Sequence, residues 1–269
     1  MLTSLALIAF FLTPSRPALA DLQVFPTRLL LTDQTKTAYL SLRLLGTKPE
    51  TYSVSAVFYR MHLDGRLEQI SAPTPDERPI LSFLRFSPRS VTLAPKSEQV
   101  VRVMTYNTHQ LADGEYRAHI RFEPQTLDVK QDDSQAGGKV KMNLTAKIAV
   151  AIPIFVRRGS VTVGASIDSA RIEKRTDGKI GYAVKLTNRG SGFLFGDIFV
   201  FEQDGDRSVE IGKALGVSSY VPSREIAFPL EVEPKSGPNQ KIRFEFRSPV
   251  EDGGKILTQS EIPSSVPIN

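Results

Sequence analysis

The chain has 269 residues, with no cysteine, three histidines, 41% hydrophobic residues and 23% charged residues. This composition is typical of a soluble globular protein, and it excludes disulfides, thiol nucleophiles and cysteine-ligated metal centres. The formal net charge is +5. Because acids and bases alternate along most of the chain, we expect a solvated surface and no nucleic-acid partner. With so few histidines, the sequence also favours a protein that is not an enzyme and holds no metal.

The first 20 residues have the pattern of an export signal. An apolar run at residues 5–12 is followed by Ala18-Leu19-Ala20, the small-residue pattern that signal peptidase recognises. The run is too short to cross the roughly 30 Å core of a bilayer as a helix. No Lys or Arg precedes it, which leaves an atypical signal and a misplaced start as alternatives. We expect cleavage before Asp21, export, and a mature chain suited to two modest domains.

Beyond Asp21 the hydrophobic pattern has the period of β-strands. Residues 51–58 and 99–103 mix β-forming side chains with polar alternation, and clusters of Gly, Pro and Asp interrupt the pattern repeatedly. Short strands separated by frequent turns favour β-sandwiches over alternating strands and helices. A second series of such segments begins after Arg157-Arg158-Gly159, which predicts a domain border near Arg157.

Four short motifs follow one another in the first half of the chain. They are Phe25-Pro26-Thr27-Arg28, Phe86-Ser87-Pro88 with Leu93-Ala94-Pro95, Asp113-Gly114-Glu115-Tyr116-Arg117, and Ile152-Pro153-Ile154-Phe155-Val156-Arg157. In this order they resemble the N-terminal domain of the PapD-type periplasmic pilus chaperones. The third motif alone also fits the tyrosine corner of many immunoglobulin-like sandwiches.

The resemblance implies an all-β fold with two immunoglobulin-like β-sandwich domains in a boomerang arrangement. A signal peptide would occupy residues 1–20, the N-terminal chaperone domain residues 21–156, and the C-terminal domain residues 157–269. The four motifs cover the first half only. The second domain rests on its strand-like pattern, without a diagnostic motif.

The resemblance also implies a function. Members of this family hold a pilus or fimbrial subunit whose own sandwich lacks its final strand, by lending the last strand of the chaperone's first domain, a form of β-augmentation. The subunit then passes to an assembly machine, the outer-membrane usher. The implied location is the periplasm, the implied partners are pilus subunits and an usher, and no cofactor is required. Whether free molecules pair with one another through the same edge stays open.

The segment at residues 139–150 has the sharpest alternation in the chain. Because side chains alternate between the two faces of a strand, its apolar members form one row. The row consists of Val140, Met142, Leu144, Ala146, Ile148 and Val150. We interpret this row as the donor strand. The alternative is a half-buried strand of the protein's own sandwich, which has the same pattern.

Arg28 is the predicted anchor for the subunit's terminal carboxylate. In the family an Arg at this position grips that carboxylate, and a planar guanidinium suits the task because it bonds both oxygens. The alternative is a structural Arg paired with an acid of its own chain. Better-known members also use a Lys in the last strand, where this sequence has Pro153. Arg157 matches a family Arg near the domain border, and we expect it to set the angle between domains; the alternative is an ordinary surface Arg.

Other functional patterns are weak. His62, His109 and His119 lack metal-ligand spacing, so we expect exposed or strand-end histidines and no metal site. The competing function is an extracytoplasmic immunoglobulin-like structural or adhesive module. Such a protein would keep residues 139–150 for its own sheet.

Overall fold

The computed structural model describes residues 21–125, 148–174, 180–205, 207–229 and 241–263. These residues form β-strands and short 3-10 turns, and no α-helix occurs among them. Within the same ranges, no helix is long and apolar enough to cross a membrane. The turns are Pro75–Glu77, Leu81–Phe83, Thr108–Gln110 and Val250–Asp252. The predicted all-β class is therefore confirmed.

The first sandwich consists of two sheets. One has four strands in the order β1 (Leu22–Phe25), β3 (Thr37–Leu44), β8 (Glu98–Thr105) and β6 (Leu84–Ser87). The other has the order β2 (Leu29–Thr32), β10 (Val150–Arg158), β9 (Gly114–Pro124), β4 (Glu50–Met61) and β5 (Leu67–Ile70). The short strand β7 (Ser90–Leu93) also pairs with β4.

The second sandwich is built in the same way. One sheet has the order β11 (Ala165–Lys174), β12 (Ile180–Asn188) and β15 (Ser223–Pro229). Its partner sheet has the order β14 (Arg207–Ser219), β13 (Leu194–Asp204), β16 (Lys241–Arg247) and β17 (Ile256–Pro263). In the first sandwich β1 pairs with β3, while β4, β9 and β10 share the opposite sheet. In the second, β11 pairs with β12, while β13, β16 and β17 share the opposite sheet. This is immunoglobulin topology, so the predicted pair of immunoglobulin-like sandwiches is confirmed.

Each sandwich encloses its own hydrophobic core. Strand alternation supplies the side chains, since every second residue of a strand faces the opposing sheet. In the first core Leu40, Leu42 and Phe122 are fully buried, and in the second Tyr182 and Phe244 are. The core residues form two separate clusters, one in each sandwich. The division between residues 156 and 157 and the boomerang angle stay predictions, since β10 runs through Arg157 to Arg158.

Two of the sequence motifs have clear roles in the first sandwich. Phe25-Pro26-Thr27-Arg28 is the point where the chain leaves one sheet at β1 and joins the other at β2. The Tyr116 hydroxyl donates a hydrogen bond of 2.9 Å to the carbonyl of Ala112, four residues upstream. This contact is the tyrosine corner that the third motif fits.

Strand β9 is buried on both faces. Tyr116, Ala118 and Ile120 face the first core, while Glu115, Arg117 and His119 on the opposite face are also buried. The second sandwich covers that outer face: the rings of Phe193 and Tyr220 lie 5.7 Å apart, and each lies within 6 Å of the Phe155 ring on β10. The interface between the sandwiches is therefore built on β9 and β10.

Candidate functional site

A cavity of about 340 Å³ lies between the two sandwiches. Its apolar lining comes from Leu30, Phe155, Val163, Phe193, Phe195 and Leu257. Its charged lining comes from Arg28, Arg157, Lys255, Glu115 and Asp252. Concave sites of this size with a few charged groups on an apolar wall are typical of ligand sites. The lining also contains Arg28 and Arg157, the two arginines that the sequence singled out.

The pairing of β2 with β10 builds the first-domain wall of this cavity. The two strands run parallel, and Leu29 pairs with Ile154 and Leu30 with Phe155. Leu29 and Ile154 are buried in the core, so the alternation turns Leu30 and Phe155 toward the second sandwich. Arg28 precedes β2 by one residue, at the edge of this apolar wall.

Arg28 bridges the two sandwiches. Its guanidinium donates to Glu251 Oε1 at 3.2 Å and to Asp252 Oδ2 at 2.5 Å, and its Cζ lies 4.2 Å from the centre of the Phe195 ring. The Arg28 side chain is 15% exposed, whereas those of Glu251 and Asp252 are 66% and 56% exposed. The pairing with acids of its own chain is the arrangement that the sequence left open as an alternative. The role of Arg28 as a ligand anchor stays a prediction.

Arg157 is held by a buried acid. Its Nε donates to Glu115 Oε2, and Glu115 is 2% exposed. The second carboxylate oxygen, Glu115 Oε1, accepts a hydrogen bond of 2.7 Å from the backbone N–H of Phe193 in the second sandwich. Glu115 therefore links β9, β10 and the second sandwich. The effect of Arg157 on the domain angle stays a prediction.

The predicted donor row lies mostly outside the described residues. Val140, Met142, Leu144 and Ala146 fall in that part, while Ile148 and Val150 are described. Ile148 is 46% exposed, Val150 is half-buried, and Ile152, Ile154 and Val156 on the same face are buried in the first core. Burial along this face therefore decreases from Ile154 to Ile148.

The strand pairing of β10 also decreases toward its first residue, Val150. Strand β9 pairs with β10 from Val150 to Arg158, whereas β2 pairs only with Ile154 to Arg157. Among the described strands, nothing pairs with the β2 side of β10 from Val150 to Pro153. An unpaired edge of this kind is a template for strand addition.

The sequence missed a cluster at the centre of the interface. Arg117 is 3% exposed, donates from its Nη1 to the Tyr59 carbonyl, and places its Cζ 4.1 Å from the centre of the Phe58 ring and 4.9 Å from that of Tyr220. Burial lowers the pKa of Arg117 to about 10. The sequence did contain a signal for this cluster: from the third motif onward, charged residues alternate with core residues along β9. That pattern also describes an ordinary solvated face.

His119 corrects a prediction. The sequence favours an exposed or strand-end histidine, but the side chain is 2% exposed in the middle of β9, with its ring 5.0 Å from the Tyr59 ring and 6.1 Å from that of Tyr220. Its Nδ1 is buried without a hydrogen-bond partner among the described residues. Burial, with a smaller effect from the Arg117 charge, lowers the pKa of His119 to about 3.

This buried histidine predicts a pH dependence of stability. Unfolded histidine has a pKa near 6.5, so between about pH 6.5 and 3 the unfolded state binds more protons and the free energy of unfolding falls as the pH falls. Between pH 6 and 4 we expect a loss of about 2 kcal/mol from this group, from the linkage relation. Thermal or urea unfolding of wild type and of His119→Phe at several pH values measures it, because the Phe variant keeps the ring and lacks the titration. Equal pH slopes for the two proteins would contradict the prediction.

No protein-family model and no curated protein sequence matches the chain. Among solved structures, the chain is similar to the class 5 fimbriae chaperone CfaA, with 13% identity and a TM-score of 0.45 over 90% of this chain and 98% of that one. It is similar to the Pseudomonas aeruginosa CupB2 chaperone, with 13% identity and a TM-score of 0.43 over 89% and 98%. It is also similar to a chain of the CsuC–CsuE chaperone–tip adhesion subunit pre-assembly complex from archaic chaperone-usher Csu pili of Acinetobacter baumannii, with 12% identity and a TM-score of 0.44 over 90% and 97%.

Proposed function

We propose that this protein is a periplasmic chaperone that stabilises pilus or fimbrial subunits by donor-strand complementation and delivers them to an outer-membrane usher. The four ordered motifs of the first sandwich support the proposal. The cavity between the two sandwiches also supports the proposal, because Arg28, the predicted carboxylate anchor, lines that cavity. The export pattern of residues 1–20 supports the location.

The observation that carries the proposal is the open edge of β10. From Val150 to Pro153 this strand has one paired side and one side without a partner among the described strands. The apolar row that continues it at residues 140–148 has the alternation needed to fill a groove in another sandwich. A guest strand added here would gain backbone hydrogen bonds from the edge and side-chain burial from the row.

Arg28 supplies the second contact of the proposed mechanism. A guest strand lying along β10 would end near the cavity, where Arg28 is largely buried beside the Phe195 ring. A terminal carboxylate bound there gains a charge-assisted pair in a partly desolvated place, which is stronger than the same pair on an open surface. The contact also fixes the register of the guest strand, because the chain end has one place to bind.

The test is subunit binding by an Arg28→Ala variant. We expect the variant to bind a co-exported fimbrial subunit from the same genome about 10- to 100-fold more weakly, because hydrogen bonds to a charged group contribute about 1.5–3 kcal/mol. Periplasmic co-expression followed by pull-down and titration measures this. Arg66→Ala, at an arginine 65% exposed on a hairpin, is the matched control and should bind as wild type does. Equal binding by both variants would count against Arg28 as the anchor.

The self-pairing of Arg28 favours a second candidate function. An arginine already bonded to Glu251 and Asp252 needs no ligand, which suits an extracytoplasmic immunoglobulin-like structural or adhesive module. Such a module would bind no subunit, and its Arg28→Ala variant would lose only a contact between its two sandwiches. Failure of wild-type protein to retain a subunit under the conditions above would favour this candidate.

A further inference from the structure

We propose that residues of both sandwiches form the carboxylate site: Arg28 from the first, and the turn from Val250 to Lys255 from the second. In this site Lys255 is the second cation, and Asp252 is the group that an incoming carboxylate replaces on Arg28. The inference rests on the proposed function, since it concerns the same cavity. It identifies the ligand as the carboxyl terminus of an apolar peptide segment.

Backbone hydrogen bonds hold the turn in one shape. The N–H groups of Asp252 and Gly254 both donate to the Pro249 carbonyl, at 2.9 and 3.0 Å. Ser248 closes the turn, since its N–H donates to the Lys255 carbonyl at 2.8 Å and its Oγ accepts from the Lys255 N–H at 2.9 Å. Gly253 and Gly254 have φ values of 97° and 60°, a left-handed backbone that favours glycine. Asp252 on one side of the turn and Lys255 on the other both line the cavity.

The cationic side chains around the cavity differ in whether they already form ion pairs. Arg157 is bonded to the buried Glu115, and Arg28 to Glu251 and Asp252. Lys255 also lines the cavity, and it makes no ion pair within the part of the chain that the structure describes. Its backbone is fixed by Ser248, while its four-carbon side chain is long enough to move toward an anion. Lys255 is thus the cation of this cavity that is available to a ligand.

A ligand carboxylate can readily replace Asp252 in its ion pair with Arg28. Both acids are more than half exposed, and an exposed carboxylate contributes little when it pairs with an arginine, because water competes for it. Arg28 itself is only 15% exposed and lies against the Phe195 ring. A ligand carboxylate entering from the cavity side would meet the same guanidinium with less water around it. Asp252 then returns to solvent with its hydration restored.

The wall beside these charges determines the chemistry of the ligand. Leu30, Phe155, Phe193 and Phe195 present apolar surface next to Arg28 and Lys255. A free amino acid or a small anion would leave this surface uncovered. The arrangement fits a peptide whose last side chains are apolar and whose terminal carboxylate binds Arg28 and Lys255.

The experiment titrates the full mature chain with the peptide acetyl-Leu-Val-Phe as free acid and as amide, followed by NMR shifts of the arginine Nε–H groups. We expect the acid to bind at least 10-fold more tightly than the amide. Lys255→Gln should weaken binding of the acid about 5-fold, and Lys255→Arg should restore it. Asp252→Asn should strengthen it about 3-fold, because the competing charge is gone. None of these variants should change binding of the amide, and Lys48→Gln, at an exposed lysine of the first sandwich, should behave as wild type.

The outcomes separate this inference from the proposed function. If Arg28→Ala weakens binding of the acid while Lys255→Gln and Asp252→Asn leave it unchanged, the shared site is wrong and the Arg28 anchor stands. If the acid and the amide bind alike and Arg28→Ala changes neither, the carboxylate anchor of the proposed function is wrong as well. A weaker Lys255→Gln that Lys255→Arg does not restore would also overturn the role of Lys255 as a cation.

Discussion

Replacing Leu144 and Ile148 together by aspartate is expected to abolish recovery of a co-exported fimbrial subunit. In the proposed complex both side chains fill the groove of the guest, where each contributes about 1.5–3 kcal/mol by burial. Aspartate removes that contribution and adds a charge that has no partner in an apolar groove. A loss of several kcal/mol corresponds to more than about a 100-fold weaker complex. Quantitative pull-down of the subunit from the periplasm, with the wild-type protein and with the double variant, measures the loss.

The same strand offers a matched control for this double variant. Lys141 and Lys147 occupy alternate positions of the segment, so in a strand they face away from the apolar row. Lys141→Asp with Lys147→Asp places the same two carboxylates in the segment and should leave subunit recovery within about 3-fold of wild type, since surface charges contribute little. Recovery that is equally low for both double variants would mean that charge in this segment, and not the apolar row, determines binding.

Glu115→Ala is expected to give a large loss of stability at the interface between the sandwiches. The carboxylate is 2% exposed and accepts from the Arg157 guanidinium and from the Phe193 N–H. Its removal leaves both donors without a partner, and breaking a buried pair in this way typically costs about 3–5 kcal/mol. Thermal unfolding followed by calorimetry should show a lower transition temperature for the variant.

A double-mutant cycle with Arg157→Met tests the cause of that loss. If the ion pair is responsible, the two substitutions together should cost at least about 1 kcal/mol less than the sum of the single ones, because either one already breaks the pair. Arg157→Met alone should cost at least as much as Glu115→Ala, because it leaves a carboxylate that is 2% exposed without its cation, whereas the Arg157 guanidinium that Glu115→Ala leaves is 30% exposed and can be solvated. Fully additive losses would show that Glu115 acts through Phe193 or through packing.

Local patterns predicted the fold well. The two-residue period identified strands because half-buried strands alternate apolar and polar side chains, and this holds for Leu40 and Leu42 in β3. The Asp113-Gly114-Glu115-Tyr116-Arg117 motif predicted a tyrosine corner because both groups of that contact lie within four residues of each other. The second sandwich was predicted by the same period, although it carries no motif of its own.

The features of the site that escaped prediction depend on contacts far apart in the sequence. Arg28 meets Asp252 across 224 residues of chain, and no local pattern indicates that pairing. His119 was expected to be exposed or at a strand end because the histidines lack metal-ligand spacing, and on β9 it alternates with core residues. The alternation rule assumes water on the second face of a strand, and here the second sandwich, through Tyr220, covers that face. A sequence pattern gives the period of burial within one domain and does not show where another domain packs.

Backbone hydrogen exchange along β10 tests the central claim most directly. In the free protein, the alternate amides between Ile148 and Ile152 that point away from β9 should exchange at least about 100-fold faster than those between Ile154 and Val156, which lie between β9 and β2. Binding of a fimbrial subunit should slow them to the rate of the inner segment. Protection of all these amides in the free protein, at the level of β9 itself, would mean that the strand is already fully paired and has no side to offer a guest.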